Sequence, residues 1–218
     1  AGDTMFALAN KYMLRTRQQA ISQVMELFNQ TAIEVCEGQQ YDMDYEHQAN
    51  VSIADYIEMI RLKTAVLLAA SLKTGAIIAG AEASDCDYIY QFGIHIGLAF
   101  QLKDDLLDVY GVQEKFGKVS GGDIIAGKKT YLYLKALETA GSEADTFRSL
   151  YAAQDMESSE KIAKVKEVFN RMNIETHTRQ LINYYYQKAL RDLSAISLPE
   201  EAMESLTEYA AWLMEREN

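Results

Sequence analysis

The chain has 218 residues, 49% of them hydrophobic, which is enough for one sizeable core. With 21 basic against 32 acidic residues, the formal net charge of −11 opposes nonspecific binding to nucleic acid and to anionic membrane surfaces. One proline (Pro199) and 12 glycines among abundant Ala, Leu, Ile, Met, Glu, Gln and Lys favour an all-α chain, read as one helical-bundle domain.

Helical periodicity starts almost at once in "AGDTMFALANKYML", where no initiator methionine stands at position 1. The pattern predicts helices over about 3–14, 18–38 with an extension to 48, 53–80, 85–110, 129–140, 144–153, 157–171, 174–195 and 199–216. No alternating strand pattern bounded by hairpin turns interrupts them. Ser52 with Asp55 approximates a capping box for the third helix, and Ser197, Pro199 and Glu200 give a similar signal for the last. The longest apolar stretch, "TAVLLAASLKTGAIIAGA", carries Lys73 in its middle and falls short of an uninterrupted membrane span, so no stable membrane insertion is expected. Cys36 and Cys86 lie far apart without metal-type spacing, which suits a reducing, cytoplasmic setting. The three histidines, His47, His95 and His177, show no zinc spacing, and His95 reads as a packed or partly exposed residue rather than a ligand.

Chemistry concentrates in the middle of the chain. In "FQLKDDLLDVYG", Gln101, Asp104, Asp105 and Asp108 fall within about a third of a turn at 100° per residue, so they share one side of a helix. Crowded carboxylates repel one another unless protons, solvent or a cation relieve them. Directly after them, residues 111–128 form the one extended loop, with Lys118 after Gly117, Asp123 after Gly121 and Gly122, and Lys128 after Gly127. Glycines let backbone N–H groups approach an anion, and lysines supply compact charge for phosphate oxygens. Acids next to lysines suit phosphate only when a divalent cation lies between them, and Mg²⁺ bridges one or two carboxylates to substrate phosphates. The expectation is a magnesium diphosphate site.

Two further segments add candidates. Lys63 and Thr64 interrupt the apolar helix of "EMIRLKTAVLLAAS", where an unpaired buried ammonium would be costly, so Lys63 either snorkels or meets an anion. Gln39 and Asp42 in "EGQQYDMDYE" offer polar groups, but an EF-hand fails there for want of its turn glycine and terminal glutamate. Gly93 and Gly97, one turn apart, suit close packing of a neighbouring helix, or room for an apolar ligand tail.

Taken in order, "CEGQQYDM", "MIRLKTA", "FQLKDDLLDVYG", "FGK", "GGDI" and "GKKT" resemble the trans-isoprenyl diphosphate synthases, the all-helical family that includes farnesyl and geranylgeranyl diphosphate synthases. The joint pattern spans about residues 37–130, and "AGDTMFALA" resembles the helix that precedes it; beyond 140 only helical character matches. The resemblance implies that Asp104, Asp105 and Asp108 are the second aspartate-rich motif, holding Mg²⁺ against an allylic diphosphate. It implies that Lys63 and Lys118 contact that diphosphate with Lys128 close by, that Thr64 and Gln101 line the allylic pocket, and that Gln39 and Asp42 face the same cavity. It further implies head-to-tail condensation with isopentenyl diphosphate, and a homodimer.

One departure stands out. The family's first DDxxD motif and its paired arginines occur nowhere in the 218 residues. The sequence is therefore expected to be the C-terminal part of a synthase, lacking N-terminal helices and unable to turn over alone. The alternative is a noncatalytic partner of a complete synthase. A terpene cyclase shares the architecture, but the "KT", "FQ" and "GKK" segments favour the synthase.

Overall fold

A computed structural model describes residues 2–111 and 121–215, apart from the side chain of Glu200, and every long element among them is helical. In chain order they are α1 (Gly2–Met13), α2 (Ile21–His47), α3 (Ile53–Ile60), a π-helical turn (Arg61–Ala65), α4 (Val66–Ala79) and α5 (Ala83–Tyr110). After the undescribed stretch come α6 (Gly122–Ala126), α7 (Tyr131–Thr139), a short 3₁₀ turn (Gly141–Glu143), α8 (Ala144–Ala152), α9 (Ser158–Arg171), α10 (Ile174–Ser194) and α11 (Glu200–Glu215). The helical expectation holds. Helix α2 takes the longer of its two expected lengths, and the third expected helix is α3, the π turn and α4 running on without a break.

Local chemistry explains the punctuation. Ser52 Oγ accepts from Asp55 N–H at 3.1 Å while Asp55 Oδ2 accepts from Ser52 N–H at 2.9 Å, a reciprocal capping box. At the other end Gly80 turns the chain with φ 83°, a conformation in which a β-carbon would be strained. The signal before α11 works differently: Ser197 donates its backbone N–H to Asp85 at 3.2 Å, and the Pro199 carbonyl accepts from Ala202 and Met203.

Helix α5 is the central strut. Its Phe92, Ile96 and Ile89 bury against Ala189 and Leu193 of α10, Ile196, and Ala210 and Leu213 of α11. Its later residues Leu98, Leu102, Leu106 and Val109 join a larger core with Tyr56, Ile60 and Val66, Leu132 and Leu134 of α7, Val165 and Phe169. Burying each such side chain stabilises the fold by about 1.5–3 kcal/mol before chain entropy is subtracted. Gly93 and Gly97 set the approach of α4 and the π turn: a β-carbon on Gly93 would lie 2.4 Å from Ala69 Cα, and one on Gly97 2.7 Å from Ala65 Cα. They serve close helix packing.

The continuous helix Ile53–Ala79 corrects one sequence expectation, because by length and composition alone it is long and apolar enough to cross a membrane. Lys73 stands within this helix, and its ammonium pairs with Asp87 at 2.7 Å. Its buried Tyr56, Met59, Leu62, Ala65, Val66 and Ala69 pack toward α2, α5 and α7, while Leu67 and Ile78 on the same helix are exposed.

Candidate active site

Four segments meet at one cavity. Its walls include Asp42, Tyr45 and Glu46 of α2, Tyr56 and Ile60 of α3, Lys63 and Thr64 of the π turn, Gln101 and Asp105 of α5, and Asp123 with residues 128–130 around α6. The π turn matters here. Its wider coil adds a residue to the turn, and Lys63 and Thr64, consecutive in sequence, both reach the cavity.

A chain of hydrogen bonds crosses the floor. Thr64 Oγ1 donates to Gln101 Oε1 at 3.1 Å, Gln101 Nε2 donates to Asp105 Oδ1 at 3.1 Å, and the Tyr56 hydroxyl donates to Asp105 Oδ2. Asp105 is buried, and burial raises its pKa to about 7, partly offset by the bonds from Tyr56 and Gln101.

Both lysines on the rim are engaged by acids. Lys63 Nζ lies 2.5 Å from Asp42 Oδ2, and Lys128 Nζ lies 2.7 Å from Asp123 Oδ1. The hydrogen bond to Asp123 raises the Lys128 pKa, so this ammonium stays charged. Lys129 instead faces α2, donating to the Tyr45 carbonyl and, at 3.1 Å, to the Glu46 carbonyl. These belong to the last turn of that helix, where a cation is favoured. The Tyr151 hydroxyl, from α8, donates to the Lys128 carbonyl at 2.7 Å and fixes the same segment from below.

The aspartate stripe does not act as one face. Asp105 points inward, whereas Asp104 is exposed and sits beside Phe100, Lys103, Leu107 and Leu213. Asp108 is half-buried and accepts from Asp123 N–H at 3.0 Å, while its own carbonyl accepts from Gly121 N–H at 2.7 Å. A spread of about 100° along a helix seemed narrow in sequence, yet it is wide enough to send neighbouring carboxylates into three surroundings. No three acidic, histidine or cysteine side chains among the described residues converge as a metal cluster. The carboxylates on the cavity wall are Asp42, Glu46, Asp105 and Asp123, and a divalent ion held by one or two of them would complete its shell with water and phosphate.

Of the other expected residues, Gln39 is exposed and lies outside the cavity wall, and Lys118 lies outside the described residues. Tyr56, Lys129 and Tyr151 were not singled out in the sequence. Tyr56 stands seven residues, two helical turns, before Lys63, and that spacing was the available signal. His95, read as packed or partly exposed, stacks near Tyr185 and has Nδ1 2.5 Å from Asp192 Oδ2.

The sequence matches the polyprenyl synthetase family over residues 1–172. The chain belongs to that family. This polyprenyl synthetase chain is 33% identical over 219 residues to a short chain isoprenyl diphosphate synthase of Methanothermobacter thermautotrophicus, covering 100% of itself and 66% of that protein. A crystal structure of a geranylgeranyl pyrophosphate synthase superposes with a TM-score of 0.93 at 40% identity, over 100% of this chain and 68% of the other. A geranylgeranyl pyrophosphate synthase of Corynebacterium glutamicum, crystallised with isoprenyl diphosphate and magnesium, superposes with a TM-score of 0.88 at 31% identity, over 99% and 62% respectively. The polyprenyl synthetase chain thus spans about two thirds of the length of these relatives.

Proposed function

We propose that this polyprenyl synthetase chain forms the half of a trans-prenyltransferase site that binds and ionises an allylic diphosphate. The observation that carries the reading is the convergence of Lys63, Thr64, Gln101 and Lys128, from three separate segments, on one cavity. Lys63 and Lys128 would hold the diphosphate oxygens, and their charge stabilises the polyanion that departs when the allylic C–O bond breaks. Thr64 and Gln101, already bonded to each other, present oriented polar groups at the cavity floor. Lys118, in the glycine-rich stretch of the sequence, belongs to the same proposed set.

Mg²⁺ bound with the substrate would neutralise the leaving group as a Lewis acid. The resemblance assigns Asp104, Asp105 and Asp108 to that ion; of the three, Asp105 lines the cavity, while Asp108 caps α6 and Asp104 lies beside Leu213. Met59 and Ile60 contribute apolar wall, which keeps water from an allylic cation. The cation would then add to isopentenyl diphosphate, and proton loss would restore an alkene. Exposed Met5, Phe6, Tyr12 and Ile33 on α1 and α2 support a homodimer as part of the proposal.

The 218 residues contain one DDxxD and no adjacent arginine pair. We therefore expect the chain alone to bind an allylic prenyl diphosphate with Mg²⁺ but not to condense it. Equilibrium binding and a turnover assay with labelled isopentenyl diphosphate test both halves. Lys63→Met and Lys128→Met should each weaken binding about tenfold or more. Unchanged affinity in both variants would remove the site from consideration, and normal turnover by the chain alone would contradict the half-site reading.

A further inference from the structure

The proposed lysine at the cavity rim already has an anion. Lys63 Nζ and Asp42 Oδ2 are 2.5 Å apart, with side chains 36% and 27% exposed. This pair is built into the helix contact. Gly38, one turn before Asp42 on α2, lies so close to the π turn that a β-carbon there would be 2.3 Å from the Lys63 amide nitrogen and 2.8 Å from the Leu62 carbonyl carbon. Asp42, four residues on, shares that face of α2 and is delivered to Lys63 by the backbone approach.

We propose that Asp42 is a specificity-determining residue: by occupying the Lys63 ammonium it makes the site favour a diphosphate that arrives with a divalent cation over the free anion. The inference rests on the diphosphate reading above and assigns the residue that sets its metal dependence. A carboxylate tethered beside the ammonium competes at high effective concentration with any phosphate from solution. The cavity offers no spare cation to soften that competition among the described residues. Its acids are Asp42, Glu46, Asp105 and Asp123, its bases Lys63, Lys128 and Lys129, and the latter two are engaged by Asp123 and by the α2 carbonyls. A free diphosphate that took Lys63 would leave the Asp42 carboxylate half-buried beside a new negative charge, and such an unpaired charge is costly. A cation that comes with the anion lets Asp42 release Lys63 without losing a partner.

Glu46 supplies the control. It lines the same cavity with the same charge, and among the described residues its side chain forms no ion pair like the one that joins Asp42 to Lys63. Titration calorimetry with inorganic pyrophosphate, in EDTA and again in MgCl₂, would compare the 218-residue chain with Asp42→Asn and Glu46→Gln. For the unmodified chain, binding should be at least about tenfold tighter with magnesium, and Asp42→Asn should strengthen metal-free binding about tenfold while Glu46→Gln changes it less than about threefold. Equal strengthening by both variants would mean that net charge alone is read, and no strengthening by Asp42→Asn would mean that Asp42 does not compete; either overturns the proposal while leaving the diphosphate site intact. Failure of the unmodified chain to bind pyrophosphate even with magnesium would overturn the diphosphate reading itself, and this inference with it. Should Asp42→Asn lose helical circular dichroism, Asp42→Ser makes the same comparison.

Discussion

The Asp123 backbone N–H donates to Asp108 Oδ2 at 3.0 Å, so the last acid of "DDLLD" grips the chain 15 residues later at the start of α6. Helix α6 has five residues, too few to be stable by itself, and its first N–H groups have no partner inside the helix. Asp108 satisfies them as a cap would and so positions Asp123 and Lys128. Asp108→Ala should cost about 1–2 kcal/mol and speed hydrogen exchange across 121–127, with Asp108→Asn recovering part of the loss. Urea titration with exchange mass spectrometry measures both. Unaltered exchange in 121–127 would show that Asp108 does not hold this segment.

Burial of Asp105 makes stability depend on pH in a direction opposite to that of an ordinary paired carboxylate. Its folded pKa is raised from 3.8 to about 7 by desolvation. Between those values the folded chain keeps a proton that the unfolded chain has released, so this contribution to stability falls as pH rises, by at most about 4 kcal/mol. Asp105→Asn should flatten the fall between about pH 4 and 7, measured by urea titration in EDTA. The Tyr56 hydrogen bond lowers the Asp105 pKa, so Tyr56→Phe should extend the fall to higher pH. Equal pH dependence in Asp105→Asn and the unmodified chain would place the titration elsewhere.

The contact between α5 and the helix before it leaves no room for side chains at two points. Gly93→Ala and Gly97→Ala each bring a methyl group against backbone, at 2.4 Å from Ala69 Cα and 2.7 Å from Ala65 Cα. Because the obstacle is main chain, the helices must separate, at a cost of about 1–3 kcal/mol or more. Gly97→Ala should also weaken allylic diphosphate binding, since Ala65 ends the π turn that carries Lys63 and Thr64. Gly75→Ala, where nothing lies within 4 Å, is the comparison and should be neutral or slightly stabilising. Thermal unfolding of the three variants separates these outcomes.

Helix positions were legible because long amphipathic periods and a Ser52–Asp55 cap are local properties of the chain. The convergence of Lys63, Thr64, Gln101 and Lys128 was legible only through the ordered motifs that resemble a family, since no local rule brings three separate segments together. Three features stayed hidden. The π turn at 61–65 needs tertiary contact with α2 and α5, and nothing in "RLKTA" departs from ordinary helix propensity. Helix α6 is too short for periodicity to show inside a glycine-rich stretch. The separation of Asp104, Asp105 and Asp108 depends on what lies opposite each: Leu213, Tyr56 and the 121–123 backbone come from elsewhere in the chain. A helical wheel gives directions but not neighbours.

The central claim is that acids and lysines share this cavity in order to receive a diphosphate together with a divalent cation. Thermal unfolding of the 218-residue chain with inorganic pyrophosphate, with and without Mg²⁺, tests it most directly. A rise in melting temperature that requires both ligands is expected, and saturating at about 100 Kd it would correspond to about 2.7 kcal/mol. A rise of the same size in EDTA, or none with both ligands present, would contradict it.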